Sequence, residues 1–472
     1  MSALDARLVE LWRRLGPRLL PFADAATPEL PLPRLLRLSL FQVSVGMATV
    51  LLVGTLNRVM IVELGVPSSL VAVMVALPVV VAPFRALVGF RSDTHRSLLG
   101  WRRVPFLWMG TMAQFGGFAI MPFALLVLTG EGHWPAWVGQ AGAALAFLLV
   151  GAGLHTVQTV GLALATDLAP RESHPKVVAF LCCALLLGML GAGAVMGALL
   201  AAFSPLRLIQ VIQGAAVATM LLNIVALWKQ EPRDPARTSF DRPEERFTEA
   251  WARLDRDGRA TRRFVVIGLG TAGFAMQDVL LEPYGGQILA LPVGATTALS
   301  ALFAAGGLAG FWTAAKRLER GTDPWRLAGF GALLGAAAFA LVSFAAPLAS
   351  PGLFAVAVVP IGFGGGLFAH CTLTAAMRAA PPGEAGLALG AWGAVQATAA
   401  GLAIMSGGIL RDLVAGLASR GALGPALVDP AVGYVFVYQL EIVLLFATLV
   451  AIGPLVGRTV EAQRFRAAHV PG

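Results

Sequence analysis

Residues 70–103 read LVAVMVALPVVVAPFRALVGFRSDTHRSLLGWRR. An apolar run long enough to cross a hydrocarbon core about 30 Å thick ends at Gly89. It gives way to a hairpin carrying Arg91, Asp93, Arg96, Arg102 and Arg103, after which a second apolar run begins. This alternation of apolar run and basic hairpin recurs along the chain. With 57% hydrophobic and only 13% charged residues among 472, there is too little charge to cover the surface of a soluble protein of this length. The expected class is therefore an all-α membrane protein, since a helix satisfies its own backbone in lipid.

Spans are predicted near 37–62, 67–89, 104–128, 138–166, 177–202, 206–228, 263–290, 292–315, 325–346, 352–377, 386–410 and 432–456. Arg91, Arg96, Arg102 and Arg103 lie between spans two and three, Arg171 and Lys176 between four and five, and Lys316, Arg317 and Arg320 between eight and nine. Arg378 ends span ten, and Arg458, Arg464 and Arg466 follow span twelve. The alternate joints are nearly free of cations, Arg411 and Arg420 excepted. The positive-inside rule then puts both termini on the cytoplasmic side. The expected layout is a cytoplasmic N-terminal segment (1–36), a six-helix half (37–228), a cytoplasmic linker (229–262), a second six-helix half (263–456) and a cytoplasmic tail (457–472). The linker is dense in both charge signs and is expected to carry a short helix. The net charge of +9 follows from topology, not from nucleic-acid binding. The N-terminal segment has no early apolar core and does not read as a cleavable signal. Its residues 8–20 form either a surface-lying amphipathic helix or a solvated basic tail. Cys182, Cys183 and Cys371 all fall in apolar runs, so no disulfide framework is expected.

The first hairpin, with Gly89, Arg91, Asp93, Arg96, Arg102 and Arg103, resembles the loop motif of the major facilitator superfamily. In that superfamily the Asp and Arg latch neighbouring helix ends on the cytoplasmic side. Span eight closes on a degenerate counterpart with Gly310, Lys316, Arg317, Glu319 and Arg320. Spans four and ten echo each other through Gly153-Leu154-His155 with Ala169-Pro170, and Gly366-Leu367-Phe368-Ala369-His370 with Ala380-Pro381. Two six-helix halves related by an axis along the membrane normal are expected. The glycine pairs 193/197, 306/310, 362/366 and 386/390 have the spacing that lets helix backbones approach.

Polar groups inside spans are costly and mark candidate sites. In span seven, Gln277-Asp278 is followed by Glu282-Pro283-Tyr284. Asp278 and Glu282 are four apart and should share one helix face, with Pro283 and the glycines loosening the helix beyond them. Such a pair reads as a proton-coupling site, a cation site, a clamp on a polar head group, or a structural pair bridged to an arginine. Asn57-Arg58 falls near the outer end of span one. Arg58 is either a counter-ion for Asp278 or Glu282 or a snorkelling interface residue. His155 and His370 are either helix-to-helix hydrogen bonders or ligands for the central metal of a tetrapyrrole. Neither has zinc-site spacing, so no directly bound metal is expected. Gln158 and Gln396 are similarly ambiguous. Trp108, Phe115, Phe118, Phe123 and Phe147 either flank a flat ligand or serve as core and lipid-facing residues. No phosphate-binding loop, Ser-His-Asp pattern or aspartate-rich prenyltransferase motif is present, so an enzyme is not expected.

More specific matches occur at Leu38–Met47, Gly54–Gly65, Phe84-Arg85-Ala86, the loop from Gly89 to Arg103, and Gln277–Gly286. Together these resemble the PucC/LhaA family, a bacteriochlorophyll-delivery branch of the major facilitators, and the likeness runs through all the predicted spans. The segment Leu20-Pro21-Phe22-Ala23-Asp24-Ala25-Ala26 is more similar to members serving the core antenna, LH1, than to those serving LH2. The resemblance implies an assembly factor in the inner, intracytoplasmic membrane of a purple bacterium. It would carry bacteriochlorophyll a to the antenna α and β polypeptides, with carotenoid left open as a second passenger. Bacteriochlorophyll-synthesis enzymes and the membrane insertion machinery are implied as further partners. The competing expectations are a proton-coupled small-molecule transporter and a pigment-free organiser of antenna assembly.

Overall fold

The computed structural model describes residues 27, 29–56, 59–60, 64, 66, 68–128, 135–200, 204–236, 238–240, 246–255, 258–291, 293–380 and 385–456. All regular structure among them is helical: α1 Leu32–Thr49, α2 Ser68–Val81, α3 Arg85–Asp93, α4 Val104–Leu128, α5 Ala136–Leu168, α6 His174–Leu199 and α7 Pro205–Leu227. After the short α8 Phe247–Leu254 come α9 Ala260–Ala275, α10 Leu281–Gln287, α11 Val293–Glu319, α12 Pro324–Ala345, α13 Pro351–Ala379, α14 Ala385–Ser419 and α15 Val432–Ile452. Ten helical stretches among the described residues are long and apolar enough to cross a membrane, which makes the chain a multi-pass membrane protein. The predicted spans seven and eight are not among these ten. Span seven is broken between α9 and α10, and span eight is the Gly- and Ala-rich α11.

The breaks have local causes. α1 runs into a π-helical stretch, Val50–Leu56. Between α2 and α3 a 3-10 turn, Ala82–Phe84, contains Pro83, which has no N–H to continue an α-helical ladder. Span seven departs from expectation in a useful way. The helix was expected to loosen after Glu282, yet it breaks before it, in a 3-10 turn at Met276–Val279. Pro283 crowds the carbonyl four residues upstream, which is Val279, and removes its donor. The ring itself sits comfortably in the first turn of α10.

Contacts divide the chain into two units, one comprising residues 1–250 with 380–391 and the other 251–379 with 392–472. The division falls inside the predicted linker, and the start of α14 belongs to the first unit. Within the first unit, α4 packs on α5 and α7, α1 on α6, α7 and α5, and α2 on α5. Within the second, α12 packs on α13 and α15, α9 on α15 and α13, and α11 on α13. Numbered as spans, the second set largely repeats the first with an offset of six, the internal repeat that the echoing motifs imply.

The predicted glycine pairs divide by role. A Cβ on Gly306, Gly310, Gly362 or Gly366 would collide with backbone of the facing helix, so α11 and α13 touch backbone to backbone through both motifs. Gly386 and Gly390 are equally tight, against Gly89 and Arg85. Gly193/Gly197 is the exception: a Cβ at Gly197 meets nothing within 4 Å and one at Gly193 only a Val50 methyl at 3.7 Å. That spacing is not a close contact here.

Candidate functional site

The loop motif assembles into one buried network. Asp93, the last residue of α3, directs its carboxylate at the first turn of α14. Oδ1 accepts from the Gly386 amide at 3.1 Å and Oδ2 from the Leu387 amide at 2.7 Å. Helix N-terminal amides lack intrahelical acceptors and carry the positive end of the helix dipole, so a carboxylate suits them. Gly89 lies directly against Gly386, and a Cβ on either would overlap the other's carbonyl. Arg103, with no exposed surface, pairs with Asp93 Oδ1 at 2.5 Å and Asp167 Oδ2 at 3.0 Å, and donates to Ser92 Oγ at 2.6 Å. Burial alone would lower its pKa, but the Asp93 and Asp167 charges outweigh that and raise it above the usual guanidinium range. Arg102 also pairs with Asp167, at 2.9 Å, although burial and the adjacent Arg103 charge lower its pKa. Glu231, from the linker, accepts from the amides of Arg102, Arg103 and Val104 at 2.8–2.9 Å and so caps α4. Of the other predicted motif residues, Arg91 is exposed and Arg96 partly buried.

The span-seven group is assembled differently from expectation. Asp278 lies in the 3-10 turn and Glu282 in α10, so the two do not share one continuous helix face. The Glu282 side chain, and Asn57 and Arg58 entirely, lie outside the described residues. Asp278 is exposed and accepts a hydrogen bond from the Gln277 side-chain amide. The acidic partner that the structure brings here is Glu441 of α15, with no exposed surface, whose Oε1 accepts from the Gln277 backbone amide at 2.7 Å. A side chain from span twelve thus replaces an acceptor that the broken helix no longer supplies. Glu441 Oε2, Gln277 Oε1 and the Tyr438 hydroxyl are buried with no hydrogen-bond partner among the described residues.

Tyr284, a pigment-binding or gating candidate by sequence, is buried in the core. The chain has three tyrosines, and all three meet: the Tyr284 ring lies 5.4 Å from Tyr434 and 5.5 Å from Tyr438, with Phe354 at 5.1 Å. Such edge and tilted contacts add to the area buried. Arg411, read from sequence as an exception to the charge rule, stacks 4.3 Å over Tyr434 and donates to its hydroxyl at 2.5 Å, with Gln287 completing the group.

The two histidines occupy corresponding helices, α5 and α13, in unlike surroundings. His155 is partly open. Its Nδ1 lies 3.5 Å from Arg85, and the Pro78 carbonyl is a second hydrogen-bond partner. His370 has no exposed surface, and neither ring nitrogen has a hydrogen-bond partner among the described residues; Phe311 lies edge-on at 6.0 Å. Phe118 and Phe147 are fully buried core, and Trp108 and Phe123 face outward, so the five aromatics do not frame a single slot. Among the described residues no three His, Cys, Asp or Glu side chains gather as metal ligands.

Three contributors have no place in the sequence analysis, Asp167, Glu231 and Glu441, and Arg85 stands there only within the Phe84-Arg85-Ala86 match, with no role assigned. Asp167, two residues before the Ala169-Pro170 end of span four, and Arg85 and Glu441, single charges in apolar runs, carried a usable signal. Glu231 sits among linker charges of both signs and carried none.

A repeated six-helix unit with an Asp–Arg network at the first hairpin is a membrane protein with the major-facilitator fold. Solved structures agree. A bacterial homologue of the iron transporter ferroportin, in an outward-facing state, matches with a TM-score of 0.66 at 14% identity, covering 90% of this chain and 98% of that one. The proton:xylose symporter XylE matches with a TM-score of 0.63 at 16% identity, covering 90% and 95%. Within that class, residues 55–460 match the family described as PUCC protein, and the chain belongs to that family. It is 54% identical over 462 residues to Protein PucC of Cereibacter sphaeroides, covering 97% of this chain and all of that protein. Protein PucC of Rhodovulum sulfidophilum is 58% identical over 88% of this chain and 92% of its own length. A Rhodobacter capsulatus protein named bacteriochlorophyll synthase 44.5 kDa chain is 30% identical over 81% and 88%.

Proposed function

We propose that this protein is a non-enzymatic assembly factor for the light-harvesting antenna of a purple bacterium, carrying bacteriochlorophyll a to the antenna α and β polypeptides, with LH1 as the preferred client. The observation that carries the proposal is the 54% identity to a PucC protein across that protein's whole length. A link to bacteriochlorophyll is supported by the name of the 30% relative. The residues described here support a carrier more than a synthase: the Asp93–Arg103 network and Glu441 hold helix ends, which is structural work.

A bacteriochlorophyll is flat, apolar and poorly soluble, and its magnesium takes one axial ligand. His370 is the better candidate ligand because its ring nitrogens have no hydrogen-bond partner among the described residues, whereas His155 has Arg85 at Nδ1 and the Pro78 carbonyl as partners. A macrocycle at His370 would have to displace Phe311. The antenna polypeptide then takes the magnesium on a ligand of its own, with synthesis enzymes and insertion machinery docked nearby in the photosynthetic membrane.

Removing the gene from a photosynthetic host tests this role. Antenna absorption should fall severalfold while bacteriochlorophyll synthesis in extracts continues. Loss of synthesis itself would point to an enzyme. The transporter alternative rests on the facilitator fold and the polar group of Gln277, Asp278 and Glu441. It requires substrate flux that uncouplers abolish.

A further inference from the structure

Arg85 begins α3, eight residues before Asp93, and so lies about 12 Å along the helix from the loop motif, inside the apolar span 73–93. It is 2% exposed. Its guanidinium stays charged under all ordinary conditions. Nε donates to Thr159 Oγ1 at 2.9 Å, NH2 to Gln158 Oε1 at 3.0 Å, and NH1 faces His155 Nδ1 at 3.5 Å. All three neighbours are neutral acceptors on α5, and no carboxylate pairs with Arg85 among the described residues.

That arrangement is unusual for a buried charge. A guanidinium without a counter-ion in an apolar setting is expensive, and nature normally pairs it. Here the same chain does so for Arg103, which has two carboxylates. A guanidinium carries five N–H donors, and each of its three nitrogens has one neighbour named above. NH1 and NH2 therefore each keep one N–H for a further acceptor, and a carboxylate or phosphate is the acceptor that also supplies charge. His155 and Gln158, which contact the buried arginine, are themselves partly exposed. Phe84 and Leu87, exposed on either side of Arg85 in sequence, supply apolar surface.

We propose that Arg85, with His155 and Gln158, forms an intramembrane binding site for an oxyanion, a carboxylate or phosphate group borne by an amphiphile. The oxyanion supplies the missing counter-charge, Arg85 grips it with two N–H groups, Gln158 and His155 line the approach, and the apolar body lies along the span. The site is independent of any pigment ligand at His370.

The test uses the full chain in neutral detergent and native mass spectrometry. Paired probes share a tail and differ in charge: oleate against oleyl alcohol, and dioleoyl phosphatidic acid against dioleoylglycerol, with inorganic phosphate alone as a further arm. Wild type should prefer the anionic member of a pair by about tenfold or more, and Arg85→Gln should erase the preference. Binding of inorganic phosphate at comparable strength would assign the site to a free anion, which contradicts the amphiphile. Equal binding of charged and neutral probes by wild type overturns the site without any variant. A preference that survives in folded Arg85→Gln overturns it too. Should Arg85→Gln fail to fold, Gln158→Leu keeps the arginine and removes one neighbour of the site. A severalfold loss of anion preference there supports the site, and an unchanged preference overturns it.

Discussion

Replacing Asp93 by Ala should release the start of α14. The Asp93 carboxylate holds the Gly386 and Leu387 amides at 3.1 and 2.7 Å and pairs with a fully buried Arg103. A hydrogen bond to a charged group contributes about 1.5–3 kcal/mol, so at the low end the two amide bonds together contribute about 3 kcal/mol. Removing one member of a buried ion pair costs about 3–5 kcal/mol by itself. The two losses overlap because Asp167 still faces Arg103, so we expect about 3 kcal/mol for opening of the first turn of α14. One tenfold factor is about 1.4 kcal/mol, which makes exchange at these amides about 150-fold faster. Hydrogen–deuterium exchange of peptides covering 385–391, in detergent, reads this directly. Peptides from α12 serve as the internal control. Asp93→Asn should fall between, since an amide oxygen still accepts but the charge is gone. Unchanged exchange at 385–391 in Asp93→Ala would refute the capping role.

Three further outcomes follow from the same geometry. Glu441→Ala strands the Gln277 amide and should destabilise the protein by about 1–3 kcal/mol, whereas Glu441→Gln retains an acceptor and should cost less; thermal unfolding in detergent compares them. Gly362→Val drives two branched methyls into the Phe303 carbonyl region and should cost about 1–3 kcal/mol or more through overpacking, while Gly197→Val, with nothing within 4 Å, should be near neutral in the same assay. His370→Ala should lower the bacteriochlorophyll retained on purification severalfold and His155→Ala should leave it near wild type; equal retention in both would remove histidine from the ligand reading.

Hydropathy and the placement of arginines made most of the helical layout legible, because span length and loop charge are local properties of the chain. The hairpin was legible as a motif through its resemblance, but which of its arginines pairs with Asp93 emerges only in the structure, as Arg103. What escaped depends on which helix faces which. Nothing in the period of α15 reveals that Glu441 reaches the Gln277 amide 164 residues earlier. The break falls at Met276–Val279 and not beyond Pro283, because the proline's steric effect acts four residues upstream. The same break keeps Asp278 and Glu282 from sharing one continuous helix face. The burial of Tyr284 depends on Tyr434 and Tyr438, which arrive from span twelve and leave no mark on the sequence around it. Arg85 was visible within a family-like triplet, and its meaning emerged only with three neutral neighbours and no acidic one.

The central claim is that this protein carries bacteriochlorophyll. The most direct measurement is the absorption spectrum of the full chain purified in mild detergent from a pigment-making cell, with pigment per protein determined after solvent extraction. A carrier should show a defined ratio of bacteriochlorophyll a with a shifted near-infrared band, reduced by His370→Ala. A folded, colourless protein from the same cells would contradict it.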